Sequence, residues 1–203
     1  MARIIDKDEK RCDIALSSIK LFCDKGIQQT SIDEIAKSAG VAKGTIYLYF
    51  KNKEEIIFTI WDLIVQQHDI LFNQRINPNM SAKEKILEYY DFTQCLGDYD
   101  QEQILILFQQ FISSLLIDKT NIYSEYFDNF FKLDYDFIST CLQEGVDKGE
   151  FFIDDIDTLS HTIIMLLKGS IVKSKASNMS FNDSQLMLTK YISYLLEHCT
   201  KEK

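Results

Sequence analysis

Residues that interrupt helices are scarce in this 203-residue chain, and this scarcity limits its possible folds more than any other feature. The sequence contains one proline, Pro78, and seven glycines. Between these positions, apolar residues recur every three or four positions, and no segment alternates apolar and polar residues as a half-buried strand would. The sequence therefore predicts an all-α fold.

The individual helices follow from the same periodicity and from capping residues. An apolar stripe from Cys12 to Cys23 predicts a first helix that ends at Lys25-Gly26. Ser31 or Thr30 caps a short second helix, Gly40 supplies the turn, and a third helix runs from Lys43 to Phe50. Longer helices are predicted at 54–74, 82–97, 101–118, 123–148, 155–176 and 183–201, with starts at Ser81, Asp100, Asp155 and Asp183.

Charge is distributed unevenly along the chain. The net formal charge is −9, which argues against nucleic-acid binding because DNA affinity comes largely from neutralised phosphates. Residues 1–53, however, carry ten basic and seven acidic side chains, a net of +3. Between Glu34 and Glu54 there are four lysines and no acid. This short cationic segment indicates an anionic partner.

The outward face of the third helix has an unusual composition. Ile46 and Phe50 share its inward face, where Val41 joins them and Ile35 packs behind. A solvated helix face is normally rich in Glu and Lys, whereas this outward face is small, hydroxylated and aromatic. It consists of Gly44, Thr45 and Leu48, flanked by Tyr47 and Tyr49. Such a face is suited to entering a DNA major groove.

Each residue of this segment has a predicted contact with DNA. Lys43 reaches a phosphate or a guanine edge, Gly44 lets the backbone approach closely, Thr45 hydrogen-bonds a base or phosphate, and Leu48 meets a thymine methyl. Tyr47, Tyr49 and Lys53 contact phosphates, as do Ser31 and the free amides beside it. The alternatives are that Tyr47 covers the edge of the core, that Leu48 is an ordinary exposed apolar residue, and that residues 1–53 merely cap the rest of the chain.

The same segment resembles the helix-turn-helix of the TetR family of bacterial regulators. The resemblance is carried by Thr30-Ser31, Ile35-Ala36, Ala39-Gly40-Val41, Lys43-Gly44-Thr45-Ile46-Tyr47, Tyr49-Phe50 and Lys53-Glu54, with Ile14-Ala15, Phe22 and Gly26 upstream. It covers about the first 60 residues. It implies a three-helix DNA-binding domain at 1–53 and a larger helical ligand-binding and dimerisation domain at 54–203. Repression of transcription by a dimer on a palindromic operator is the activity that it implies.

The resemblance further implies that the last two helices, at 155–176 and 183–201, form a four-helix bundle with their copies in a second subunit. Their apolar residues exceed what one subunit needs. They are Leu159, Ile163, Leu166, Leu167, Ile171, Leu186, Leu188, Ile192, Leu195 and Leu196. Dimeric reading also suits DNA, since one short helix reads only a few base pairs. The alternative is that all these residues belong to the core of one chain.

Aromatic residues concentrate in the middle of the chain and fit a cavity for a small apolar or amphipathic effector. The candidate lining comprises Trp61, Ile64, His68, Phe92, Phe108, Phe111, Phe127, Phe131, His161 and Met165. His68 and His161 are interpreted as interior polar groups that either hydrogen-bond such an effector or are satisfied within the core. The alternative for the whole set is a plain helical core.

Other classes of function lack support in the sequence. There is no phosphate-binding glycine loop, nucleophile elbow or paired metal ligands, so neither an enzyme nor a metal site or cofactor is expected. Five scattered cysteines, Cys12, Cys23, Cys95, Cys141 and Cys199, are interpreted as free thiols, with redox sensing left open. No membrane span or signal peptide is apparent, so a cytoplasmic protein is expected. A DNA-binding protein of the same fold that lacks a small ligand is a second open alternative.

Overall fold

A computed structural model describes residues 7–95 and 99–200, with the backbone alone at Gln94 and Cys95. Within these ranges the structure is helical and contains no strand, which confirms the all-α prediction. The helices are α1 (Lys7–Ser17), α2 (Ile19–Lys25), α3 (Ile32–Ser38), α4 (Lys43–Tyr49), α5 (Glu54–Arg75), α6 (Ala82–Tyr89), α7 (Phe92–Cys95), α8 (Gln101–Ile117), α9 (Ile122–Asp147), α10 (Ile156–Ala176) and α11 (Phe181–His198). None of the helices described is both long and apolar enough to cross a membrane.

The chain forms two compact units. One comprises the described residues up to Gln67 together with Gln103–Tyr126, and the other comprises the described residues of His68–Glu102 and Phe127–Lys203. Helices α1–α4 therefore lie in the first unit with α5 up to Gln67, with α8 from Gln103 onwards and with the start of α9. The functional boundary predicted between residues 53 and 54 falls inside this first unit.

The first predicted helix is interrupted, so the N-terminal segment has four helices rather than three. The side-chain hydroxyls of Ser17 and Ser18 both donate to the carbonyl of Ile14, at 2.8 and 2.9 Å. The Ser18 amide bonds to Ala15 three residues back, at 3.0 Å, instead of four residues back. Serine hydroxyls compete with the helical ladder in this way, and α1 therefore ends at Ser17 while α2 begins at Ile19.

The predicted helix at 82–97 is also divided in two. It ends at Tyr89, and the carboxylate of Asp91 accepts a hydrogen bond from the amide of Thr93 at 3.1 Å, which starts the short helix α7. Residues 96 and 97 lie outside the described part of the chain. The capping predictions for Ser81 and Asp155 are confirmed, because each side chain accepts a bond from the amide three residues on. For α11, Ser180 is the cap rather than Asp183.

The core of the first unit is built around the helix-turn-helix. Helix α1 packs against α2, α3 and α4, and α3 packs against α4. The completely buried side chains here include Ile14, Phe22, Ile27, Ile35 and Ile46. In the second unit α10 packs along α11, and α11 also contacts α6 and α7.

A tight turn closes the end of α9 in the second unit. A Cβ atom at Gly145 would lie 2.3 Å from a ring carbon of Phe151 and 3.0 Å from the Cβ of Ala82. The chain reverses at Gly149, whose φ of 72° is left-handed, and the amide of Phe151 then bonds to the Gly145 carbonyl at 3.2 Å. The absence of a side chain at residue 145 therefore lets the buried Phe151 ring lie directly on α9.

Candidate nucleic-acid interface

Helix α3 begins with a complete capping box. The hydroxyl of Ser31 accepts a bond from the Glu34 amide at 3.3 Å, and the Glu34 carboxylate accepts bonds from the Ser31 amide at 2.9 Å and from the Ser31 hydroxyl at 2.8 Å. Lys25 at the end of α2 also donates to this carboxylate. Lys25, together with the bonds from Ser31, lowers the pKa of Glu34 to about 2. A phosphate at Ser31 would therefore meet a carboxylate, and its predicted contact stays a prediction.

The turn between α3 and α4 is the one expected from the sequence. Gly40 adopts a left-handed φ of 64°, and the amide of Val41 bonds to the Ala36 carbonyl at 2.9 Å. Ala42 caps α4 without a side-chain hydrogen bond. The amides at the start of α4 therefore face no capping side chain of their own.

Helix α4 presents the face that its periodicity predicts. Ile46 and Phe50 are buried, whereas Leu48 is 73% exposed and Tyr47 54% exposed. Thr45 and Tyr49 are partly exposed, and apart from its chain neighbours and nearby helix backbone, no atom of the described residues lies within 4 Å of a Cβ position at Gly44. The outward surface of α4 is thus apolar, hydroxylated and open, with a bare backbone near its start.

Acidic side chains from outside the acid-free segment approach its lysines and backbone. Lys43 forms an exposed ion pair with Asp33 at 3.0 Å, and a hydrogen bond from Lys43 to that carboxylate raises the pKa of the lysine. The carboxylate of Glu55 accepts a bond from the Lys51 amide at 2.9 Å. The segment between Glu34 and Glu54 contains no acidic residue, but carboxylates from outside it lie close to it in the folded structure.

Two basic side chains of the first unit, Lys53 and Arg11, donate to backbone carbonyls of the same unit. The ammonium of Lys53 donates to the carbonyls of Gln28 and Thr30 at 3.0 and 3.1 Å, and burial lowers the pKa of this lysine. Arg11, which the sequence reasoning did not select, donates to the carbonyl of Tyr49. No local pattern indicated either contact, because the partners lie 23 to 38 residues apart.

This helix-turn-helix matches a known family over residues 16–60, described as bacterial regulatory proteins, tetR family. The fatty acid metabolism regulator protein of Bacillus subtilis (strain 168) is 38% identical over 80 residues, which are 39% of this chain and 41% of that protein. The HTH-type transcriptional regulator AcrR of Shigella flexneri is 41% identical over 58 residues, 29% of this chain and 27% of that protein. The chain thus spans less than half the length of these curated relatives.

The likeness of solved structures extends further along the chain. The transcriptional regulator FadR from Bacillus subtilis in complex with stearoyl-CoA has a TM-score of 0.68 and 24% identity, covering 91% of this chain and 95% of that one. Residues 16–60 of this chain therefore match the helix-turn-helix of the TetR family, and over most of its length the chain shares the fold of these regulators. Proteins of the TetR family are DNA-binding transcriptional regulators, and the shared fold continues into the helical C-terminal part.

The apolar residues expected at a TetR-family dimer interface fall into two groups. Six of them, Ile163, Leu167, Ile171, Leu188, Ile192 and Leu196, are buried within one chain. The interpretation as a single-chain core is therefore correct for these six. Of the other four, Leu186 is exposed and Leu159, Leu166 and Leu195 are partly exposed. The outer side of α10 and α11 exposes Leu186 together with Met165, Val172, Tyr191 and Tyr194. On the same side of α10, a Cβ at Gly169 would have no atom of the described residues within 4 Å apart from its chain neighbours and nearby helix backbone.

The predicted ligand residues are distributed between the two units. Trp61, Ile64, Phe108 and Phe111 belong to the first unit, where the Trp61 ring lies 4.3 Å from that of Phe108. The buried indole N–H of Trp61 has no hydrogen-bond partner among the described residues. The other six, His68, Phe92, Phe127, Phe131, His161 and Met165, belong to the second unit.

In the second unit only some of these six are interior. His68 is buried, and its Nε2 lies 2.8 Å from the Tyr89 carbonyl, as expected for a satisfied core histidine. His161 is exposed and bonds to the carbonyl of Asp157, so its interpretation as an interior group is wrong. Met165 is also exposed. The helical stripe that placed them inside is the outer side of α10.

A buried ion pair in the same unit was not foreseen from the sequence. Lys168 Nζ lies 3.6 Å from Asp134 Oδ2 and 5.0 Å from the centre of the Phe127 ring. The hydroxyl of Tyr89 donates to Asp134 at 3.1 Å. Burial raises the pKa of Asp134 and lowers that of Lys168, while their mutual attraction opposes both shifts.

The other groups that could carry chemistry are clusters of metal-binding side chains and cysteine thiols. Among the described residues no cluster of three His, Cys, Asp or Glu side chains could hold a metal ion. Within the part of the chain that the structure describes, Cys12, Cys23, Cys141 and Cys199 are not joined in disulfides, and burial raises the pKa of Cys141 to about 11. A raised pKa disfavours the reactive thiolate. The side chain of Cys95 lies outside the described part.

Proposed function

We propose that this protein is a transcriptional repressor that binds a palindromic operator as a homodimer and is released by a small apolar or amphipathic effector. The observation that carries the proposal is the outward face of α4, where Tyr47 and Leu48 are exposed while Ile46 and Phe50 are buried. An exposed face without acids, at the second helix of a helix-turn-helix, is suited to the major groove. Because chromosomal DNA is the partner, the proposed function requires a cytoplasmic location.

The division of labour on this face follows from reach and chemistry. Thr45 and Leu48 are proposed to read base edges, and Gly44 to permit close approach. Lys43 is proposed to contact a phosphate or a guanine edge, and Tyr47 and Tyr49 are proposed to contact phosphates. Lys53 has one donor left after its two carbonyl bonds, and this donor is proposed to reach a phosphate. Ser31 contributes a phosphate contact only if Glu34 moves away.

Dimerisation is proposed through the outer side of α10 and α11, in segments 155–176 and 183–201. Five large apolar or aromatic side chains are exposed there, and Gly169 leaves space for a close approach of helices. The two recognition helices of such a dimer would read half-sites about one helical turn apart, roughly 34 Å.

The effector is proposed to be apolar or amphipathic because the candidate lining is aromatic. The FadR structure similar to this chain holds stearoyl-CoA, so long-chain acyl-CoA thioesters are the first compounds to test. A ligand releases the operator only if it prefers the conformation that does not bind DNA, and couplings of about 1–3 kcal/mol are typical. A same-fold regulator without a small ligand is the second candidate function.

Selection of bound sequences from random DNA tests the proposal. The wild-type protein should enrich a palindrome, and Thr45→Val or Leu48→Ala should alter the preferred bases rather than weaken binding to all sequences. Leu116→Ala, at another exposed leucine of the first unit, is the control. Failure to enrich any sequence would refute operator binding. The protein could instead enrich a palindrome and bind it equally well with and without acyl-CoA or other apolar compounds. That result would favour the regulator without a small ligand.

A further inference from the structure

Arg11 joins three helices of the first unit. Its guanidinium donates through Nη1 to the carbonyl of Tyr49, the last residue of α4, and through Nη2 to the Thr59 hydroxyl at 3.0 Å. The guanidinium carbon lies 4.3 Å from the centre of the Phe50 ring, directly over its face. The Thr59 hydroxyl in turn donates a hydrogen bond to the Glu55 carbonyl at 2.7 Å. One side chain from α1 thus holds the end of α4 and a site on α5.

The end of α4 depends on this contact more than a longer helix would. Helix α4 has seven residues and stops at Phe50, whose φ of −137° is extended. Its last carbonyls lack helical partners, and a cation beside them also opposes the negative end of the helix dipole. Beside them lies an open groove of about 420 Å³ lined by Tyr47, Phe58 and Asp62, so packing leaves this side of α4 uncovered.

We infer that Arg11 is a positioning residue for operator recognition, which fixes the end of α4 without contacting DNA. The inference rests on the proposed function. The planar guanidinium suits this task because its donors point to two acceptors at once while its face stacks on Phe50. Arg11 is only partly exposed and its charge is directed at protein groups, whereas the side chain of Lys51 is 91% exposed and lies 4.0 Å from Glu55.

A positioning role predicts a different signature from a phosphate contact. If α4 is displaced, the base contacts of Thr45 and Leu48 are misaligned, so affinity for the operator falls. Binding to random DNA depends on charge rather than on alignment, and it changes little. The slope of log affinity against log salt stays the same, since no phosphate contact is lost. A residue that neutralises a phosphate would instead reduce that slope by about one.

The experiment measures affinities of Arg11→Ala and Arg11→Lys for the selected operator and for random DNA over a range of salt concentrations. Circular dichroism first identifies a temperature at which all variants are folded. Arg11→Ala should reduce the ratio of operator to random affinity about tenfold or more, which corresponds to one misaligned base contact. Arg11→Lys should recover only part of the ratio, because an ammonium cannot reproduce the planar fork. Thr59→Val should lower the ratio in the same direction.

Lys7→Ala is the matched control, since it removes one positive charge from an exposed position of the same helix. It should leave the ratio unchanged. An unchanged ratio for folded Arg11→Ala would overturn the inference, and so would a salt slope lower by about one in that variant only. If the wild-type protein selects no DNA sequence at all, the proposed function itself fails. That result differs from one in which the wild-type protein selects an operator and Arg11→Ala leaves the ratio of operator to random affinity unchanged.

Discussion

The ammonium of Lys43 lies 3.0 Å from a carboxylate oxygen of Asp33, across the turn that joins α3 to α4. Lys43 is the first residue of the proposed recognition helix, so its charge is already compensated in the free protein. A phosphate that approaches Lys43 must compete with this carboxylate and is also repelled by it. The pair therefore opposes indiscriminate attraction of DNA by the one short cationic segment of an acidic chain.

Asp33→Asn should increase the affinity for random DNA by roughly two- to fivefold at low salt, in line with the small energies of exposed ion pairs. The gain should shrink as salt is added, because screening weakens exposed charges first. Binding titrations with fluorescent random DNA check this. Asp24→Asn, at an exposed carboxylate on α2, serves as control. Equal gains in both variants would mean that net charge alone is responsible.

Val172→Glu should convert a dimer into folded monomers. Val172 is 55% exposed in one chain, so a charge there is tolerated by the isolated fold but would be left unpaired in an apolar interface. Sedimentation velocity gives the mass, and circular dichroism reports the helix content. Leu116→Glu, at an exposed leucine of the first unit, should stay dimeric. A dimeric Val172→Glu variant would place the interface elsewhere.

Glu34→Gln should lower the thermal midpoint at neutral pH and much less in acid. The pKa of Glu34 is lowered to about 2, so its ionised form stabilises the fold above the ordinary carboxyl range. That contribution is lost as the pH falls towards 2, whereas the glutamine variant lacks it at every pH. Melting curves of both proteins between pH 7 and pH 3 should therefore converge. Glu9→Gln on α1 is the control, and a constant difference would contradict the prediction.

Asp134→Asn alone should lower the free energy of unfolding by about 3–5 kcal/mol, because it leaves the ammonium of Lys168 buried without its carboxylate. Adding Lys168→Met should restore most of the loss, since Asn still accepts from Tyr89 and no charge remains. Urea denaturation measures Asp134→Asn, Lys168→Met and the double variant. The same two changes at exposed positions, Asp136→Asn and Lys173→Met, control for the loss of charge alone. Additive losses in the double variant would show that the two charges do not interact.

The parts of this molecule that follow from its sequence are those set by neighbours along the chain. Ser31 and Glu34 form a capping box, and Ile46 and Phe50 share one helix face, because their spacing of three or four residues is itself the cause. The break at Ser18 was missed because a serine hydroxyl that bonds to the backbone leaves the apolar stripe intact. The contact of Arg11 with Tyr49 depends on the tertiary arrangement of helices. Which side of α10 faces outward also depends on this tertiary arrangement. The prediction that His161 and Met165 are interior is wrong for that reason.

The contact between Gly145 and Phe151 has a consequence for how this sequence can diverge. A library randomised at position 145 alone should yield almost only glycine, although a helix interior ordinarily accepts alanine better. Randomising positions 145 and 151 together should admit alanine at 145 wherever a smaller side chain replaces the phenylalanine. The side-chain volumes at positions 145 and 151 would then vary in opposite directions. The Phe151 ring, six residues away, would therefore preserve a glycine inside helix α9.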